Sequence, residues 1–348
     1  MADLVSAGSM SPALPTPAQR IRAALSFTNI SALYIFVVLF VLFSVWVPDT
    51  FLTSGVWRSL LADSSLTALV AIAVTIPLSA GTFNLAVGTE VGTAAILSAW
   101  LLERQHLAVA PAVALTLLAG CAVGAASGGL IIRAKIDSFI ATLGMSSVLL
   151  ALIAWISGGQ QILDLPASFQ HLATNELLGF TYPVWIMLAV GLVVWYVMER
   201  TPTGRRLYAT GGNVNAARLA GVPTARVIVL SLVSCGAISA LAGLLISSQL
   251  AVGDPTVGPA YLLPAYAAAF LGSTQFRGGR YNVAGAVSAV FVLAVGVKGL
   301  QLAGAPVWIP DLFNGAALLI AVGMSKYQGT ARRSAAVARI LRRSETRS

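Results

Sequence analysis

Three stretches of this chain, Ser31–Trp46, Ser138–Ile156 and Arg226–Leu250, are apolar runs with no charged residue after the opening Arg226. They constrain the fold more than any other feature. A helix crossing the hydrocarbon core of a bilayer needs about 20 apolar residues. A transmembrane barrel is built instead from alternating segments of about 10 residues, a pattern absent from these runs. The chain therefore reads as all-α, a polytopic transmembrane helical bundle. Composition agrees: 57% of the 348 residues are hydrophobic and 9% charged, against about 25% charged in an average soluble domain. A soluble enzyme, a disordered chain and a nucleic-acid module are excluded together, because water cannot hydrate so many apolar side chains with so few ions among them.

Ten segments qualify as spans, near 31–48, 64–80, 86–102, 108–132, 138–157, 182–198, 226–249, 260–273, 282–301 and 309–326. The third carries Glu90. The eighth is short and holds Pro264, which marks a broken or partly re-entrant element. With the amino terminus in the cytoplasm and strict alternation, all 21 basic residues except Arg58, Arg104 and Lys298 fall on the cytoplasmic side. The positive-inside rule selects this topology, with both termini cytoplasmic. The net charge of +9 is then an orientation signal, and no nucleic-acid partner is expected. Residues 1–25, with Pro12, Pro15 and Pro17, read as a disordered cytoplasmic arm. Residues 26–328 form the membrane domain, with a large cytoplasmic loop at about 200–225. Residues 329–348 form a basic cytoplasmic tail against anionic membrane lipid.

No G-x-x-x-x-G-K-[ST], H-E-x-x-H or G-x-S-x-G is present, and no carboxylate pair is placed for acid–base work, so catalysis by this chain is not expected. Cys121 and Cys235 lie inside apolar runs and read as small buried apolar residues. His106 and His171 are far apart, and no metal site is expected from them. Gly120, Gly124 and Gly128 form a tandem G-x-x-x-G whose flat face admits another helix closely, either inside the bundle or across a dimer. Glu90 and Lys298 each cost about 2.5–3.5 kcal/mol in hydrocarbon. Each either marks a pathway or reaches the interface from a helix end. Gly81–Gly88, uncharged and glycine-bounded, reads as backbone turning at membrane depth, as a pathway element or as a tight helix turn.

The loop at 200–225 is the most informative segment. Gly211–Gly212 reads as a turn, Asn213 or Asn215 as a helix cap, and Gly221 with Pro223 as a stop. The product is a helix of about two turns outside the membrane, too short to be stable alone. It must be held by the bundle's own helix ends or by a partner's groove.

This loop resembles the coupling segment of permease subunits of ribose-type, branched-chain-like sugar ABC importers, whose pattern is roughly G-R-x-x-Y-A-x-G-G-N-x-x-A-A-x-x-x-G. Gly204, Arg205, Tyr208, Ala209, Gly211, Gly212, Asn213, Ala216, Ala217 and Gly221 match it. Phe139–Gly144 is similar to the family's P-F-I-A-T-L-G, with Ser138 in place of proline, and Ser157-Gly-Gly-Gln160 follows. Phe270–Arg280 resembles G-G-x-S-x-x-G-G-x-G. The family's usual G-I-D-L-S-V-G is here Gly81-Thr-Phe-Asn84-Leu-Ala86-Val-Gly88, so an amide stands where the acid is usual. Glu90 stands where small or apolar residues are usual, and Lys298 where asparagine often precedes Gly299.

The resemblance implies a bacterial inner-membrane importer of several proteins, carrying a monosaccharide or similar small polar solute by alternating access. A second permease subunit, expected to be a second copy of this chain, completes the pore. ATP-binding cassette subunits carry ATP and Mg and dock on the loop residues Gly204, Arg205, Tyr208, Gly211, Gly212, Asn213, Ala216, Ala217, Arg218 and Gly221. An external solute-binding protein delivers the cargo. This chain is expected to bind no cofactor itself, and Asn84, Glu90, Phe139, Thr142 and Lys298 are the residues expected along the pathway. Two other readings stay open on the residues alone: an ion-coupled secondary transporter using Glu90 and Lys298, and a non-transporting membrane scaffold.

Overall fold

The computed structural model describes residues 27–275 and 279–323; the expected arm (1–25) and basic tail (329–348) lie outside the described residues. The helices are α1 (Phe27–Trp46), α2 (Pro48–Phe51), α3 (Ser54–Ser79), α4 (Val87–Glu103), α5 (Val109–Arg133), α6 (Ser138–Ser157) and α7 (Ala167–Thr174). They continue as α8 (Tyr182–Arg200), α9 (Pro202–Gly212), α10 (Val214–Leu219), α11 (Thr224–Leu250), α12 (Leu262–Ser273) and α13 (Val283–Leu302). A further apolar helix, α14, covers Ile309–Gly323. Among the described residues six helices, α3, α5, α6, α8, α11 and α13, are long and apolar enough to cross a membrane.

The eighth segment is indeed short. Helix α4 has 17 residues and α12 has 12. A loop and one 3-10 turn, Gly258–Tyr261, precede α12. Gly258 lies against the first turns of α4, so close that a Cβ there would strike the Gly88 carbonyl. Non-helical chain thus enters the bundle before α12 begins. Two sequence expectations are corrected. The second helix starts at Ser54, not near 64; Arg58 and Asp63 interrupt its hydropathy, but both lie on its exposed side. The fold also includes a two-residue antiparallel hairpin, β1 (Glu176–Leu177) with β2 (Phe180–Thr181).

Helix α3 runs through the centre, with Leu69, Val70, Ala71, Ile72, Ala73 and Val74 wholly buried. Its alanines let neighbours approach on every side, and α4, α8, α11, α12 and α13 share its core cluster. A second cluster joins α4, α5, α6, α7 and α11 around Ile96, Phe169 and Leu244. Phe40, Phe43, Phe51 and Trp57 make a ring-on-ring anchor for α1 and α2. The tandem G-x-x-x-G face is internal. A Cβ on Gly120 would strike the Gly236 carbonyl, one on Gly124 the Leu232 carbonyl, and Gly128 sits against Val229. The flat face of α5 therefore seats α11.

The two ends of the bundle differ. One carries α9 and α10, the end of α3 and the starts of α6 and α13. The other carries α7, the hairpin and the loop before α12. There Ile162 bridges Gly253, Gln161 donates to Asp254 at 2.9 Å, and Arg58 lies 3.9 Å from Glu176.

Candidate functional site

The expected two-turn helix is present as α10, but it forms one arm of an elbow. Helices α9 and α10 meet at Asn213, whose Oδ1 accepts the Ala216 N–H at 3.0 Å. Gly211 and Gly212 are not a turn; they close an 11-residue helix. The glycines at 204 and 211 serve close approach rather than backbone freedom. A Cβ on Gly204 would strike the Met198 carbonyl, and one on Gly211 the Ser79 carbonyl. Gly221, with φ +81°, is the left-handed stop the sequence announces.

The bundle itself holds the elbow. The Tyr208 hydroxyl donates to the Tyr281 carbonyl at 2.8 Å, and Arg280 lies 4.7 Å from the Tyr208 ring centre. Ala217 is only 6% exposed and seats α10. Asn215, Ala216 and Arg218 face outward with Arg205, and Leu219 is 91% exposed. The tip of the elbow thus carries a freely accessible apolar side chain. A cysteine meant to reach a partner belongs at Leu219, since at Ala217 the bundle would shield it. Leu219→Cys should react with a bulky maleimide at least about tenfold faster than Ala217→Cys, in line with their burial.

Next to the elbow the chain turns between α3 and α4. Gly81 has φ +79° and rests on Gly211, its would-be Cβ 3.1 Å from the Gly211 Cα. Residues 82–86 are not helical, and all but Phe83 are buried or half-buried. Three of their N–H groups are satisfied by side chains from elsewhere: Phe83 N–H donates to Ser138 Oγ (3.3 Å), Asn84 N–H to the Tyr266 hydroxyl (3.0 Å) and Leu85 N–H to Thr142 Oγ1 (3.0 Å). This is turning backbone sheltered by protein, the condition under which such backbone persists at membrane depth. Ser138, the departure from the family's proline, supplies one of the acceptors.

Asn84 and Glu90 meet here. The Asn84 amide donates to Glu90 Oε1 at 3.0 Å and to Cys235 Sγ at 3.3 Å, while its Oδ1 accepts the Ala86 N–H at 3.2 Å. Both side chains are buried, so the interfacial reading of Glu90 is set aside. Two of the departures from the family pattern thus meet: the amide at 84 donates to the acid at 90. Asn84→Asp alone removes that donor and places two acidic groups together, whereas Asn84→Asp with Glu90→Ala restores the family's arrangement. Thermal unfolding in detergent should show the single change destabilising and the double change recovering, with a coupling of about 1–3 kcal/mol. Additive losses would break the link.

Of the remaining expected residues, Thr142 and Phe139 join this turn and Lys298 lies apart from it. Thr142 is buried and bound to the turn. Phe139 is 50% exposed and meets Phe83 edge-on, ring centres 6.5 Å apart. Lys298 does not approach Glu90; it lines a cavity of about 200 Å³ with Asp63, Thr67, Gln301 and Asn314. Sequence reasoning missed Phe83, Cys235 and Tyr266. Only Phe83 lies in a motif, and the other two reach Asn84 across more than 150 positions.

The family model described as the permease component of branched-chain amino acid transport systems matches residues 57–322. The chain belongs to that family. The permease is 31% identical to the L-arabinose ABC transporter permease protein AraH of Azospirillum brasilense, over 86% of its own length and 88% of that protein's. It is 29% identical to the ribose import permease protein RbsC of Haemophilus influenzae, over 84% and 92% of the two chains. It is 30% identical to the autoinducer 2 import system permease protein LsrD of Photorhabdus luminescens, over 73% and 78%. No solved structure matches it. The permease is a multi-pass inner-membrane subunit of an ABC importer and works with ATPase and solute-binding partners.

Proposed function

We propose that two copies of the permease form the pore of an importer for a pentose or a similarly small polyhydroxylated solute. The relatives named for L-arabinose and ribose support that solute class. The observation that carries the mechanism is the elbow. It presents Leu219 and Arg218 outward, while its inner end rests on the turn at Gly81. The chain has no phosphate-binding loop, so work enters through a partner. ATP and Mg are held by that ATPase, and its motion reaches the bundle as a rigid-body displacement of α9–α10. The ten-crossing topology, with the elbow and both termini cytoplasmic, follows if α4 and α12 complete their crossings with the non-helical chain beside them. The exposed Phe83–Phe139 pair and the turn held by Asn84, Glu90 and Thr142 are then the inner part of the pathway, and Lys298 faces an outer chamber.

The test is uptake of radiolabelled L-arabinose and D-ribose into proteoliposomes. Accumulation should require the ATPase, the binding protein and ATP with Mg, and none should occur with this chain alone. Glu90→Gln should retain most uptake, because an amide at 90 still accepts from Asn84. Loss of uptake in Glu90→Gln, with accumulation independent of nucleotide, would instead establish the ion-coupled reading.

A further inference from the structure

Over the half of the bundle beside the elbow, α8 and α11 stand apart and leave a cleft of about 650 Å³. Its walls are mainly aliphatic: Val190, Val193 and Val197 from α8, Leu230 and Ile238 from α11, and Leu207 from α9. Val193 is 61% and Leu230 59% exposed, so the cleft opens sideways, away from the central helix α3. In a bilayer an apolar recess of this kind is filled by hydrocarbon rather than water. At its elbow end stand Arg206 on α9 and Arg226 in the first turn of α11, both lining the same cleft and both exposed. Both guanidinium groups carry a full positive charge at the mouth of the cleft.

An aliphatic slot ending in two exposed guanidinium groups suits a ligand with an acyl chain below and a phosphate above. Guanidinium forks match phosphate oxygens in pairs, and basic pockets between spans at the cytoplasmic face take anionic headgroups. We propose that this cleft binds one anionic glycerophospholipid, an acyl chain lying between α8 and α11 and its headgroup phosphate between Arg206 and Arg226. The choice of the cytoplasmic leaflet rests on the orientation proposed above; the cleft and its arginines do not. The lipid would sit between the two roots of the elbow, the junction of α8 with α9 and the start of α11. It would therefore stiffen the same segment the ATPase moves.

The experiment is native mass spectrometry of the full chain in mild detergent, offered equal amounts of phosphatidylglycerol and phosphatidylcholine with identical acyl chains. The wild type should retain phosphatidylglycerol with about tenfold preference, the scale of one charge-assisted contact. Arg206→Gln with Arg226→Gln should lose the preference, and Leu230→Trp, which fills the slot, should lower retention of both lipids. Equal thermal unfolding of the variants shows that folding is not the cause. Three results overturn the proposal: a double variant that keeps the preference, glycerol phosphate without acyl chains competing as well as the lipid, or a Val193→Cys variant that crosslinks two copies through the cleft. None of these readings uses transport. Failure of the uptake test and failure of lipid retention are thus separate outcomes.

Discussion

Gly124→Leu is expected to remove the folded protein, lowering the yield of monodisperse material at least about tenfold, while Gly129→Leu five residues later leaves it intact. Without side chains at 120 and 124, α5 lets its backbone touch that of α11. A Cβ at 124 already strikes the Leu232 carbonyl, whereas nothing lies within 4 Å of a Cβ at Gly129. Overpacking usually costs about 1–3 kcal/mol because neighbouring side chains adjust. Here the obstacle is backbone of a buried helix, which has no rotamer to change. The helices must separate along the seam, and in a membrane close packing is the main source of helix association. Size-exclusion profiles of the two variants read the outcome directly. A Gly124→Leu protein as stable as Gly129→Leu would show that the seam is not closed.

Charging the tip of the elbow should have the opposite signature: lost work in a sound protein. Arg218→Glu with Leu219→Glu is expected to reduce ATP-driven uptake by at least about thirtyfold, the loss of one interface hot spot of about 2 kcal/mol. Both side chains face outward, so unfolding should shift by no more than about 0.5 kcal/mol. Ala217→Glu, with its side chain forced into the seat of α10, should instead fail to fold. Uptake that survives the double change would mean the ATPase grips elsewhere.

Much of this was written in the order of residues. The apolar runs placed the long helices to within a few positions where charges did not intervene, as at α6. The Asn213 cap and the Gly221 stop were legible because each is a local arrangement within a few residues. Gly211 was misread as part of a turn because glycine has two uses, left-handed backbone and close approach, and only the fold shows which is exercised. Positions 84 and 90 showed as two separate departures; their bond depends on how the turn folds back onto α4. The acceptors from Ser138, Thr142 and Tyr266 were out of reach for a similar reason, since α6 and α12 must both reach the turn before any of them has a role.

The contact between Gly81 and Gly211 has a mechanical meaning. Two peptide chains lean on one another there with no side chain interposed, so the joint has no flexible spacer to absorb a push. If the ATPase displaces the elbow, as proposed above, the push would pass to the turn between α3 and α4 through backbone alone. Any side chain at Gly211 would meet the Ser79 carbonyl and prise the elbow from the turn, breaking the joint rather than softening it.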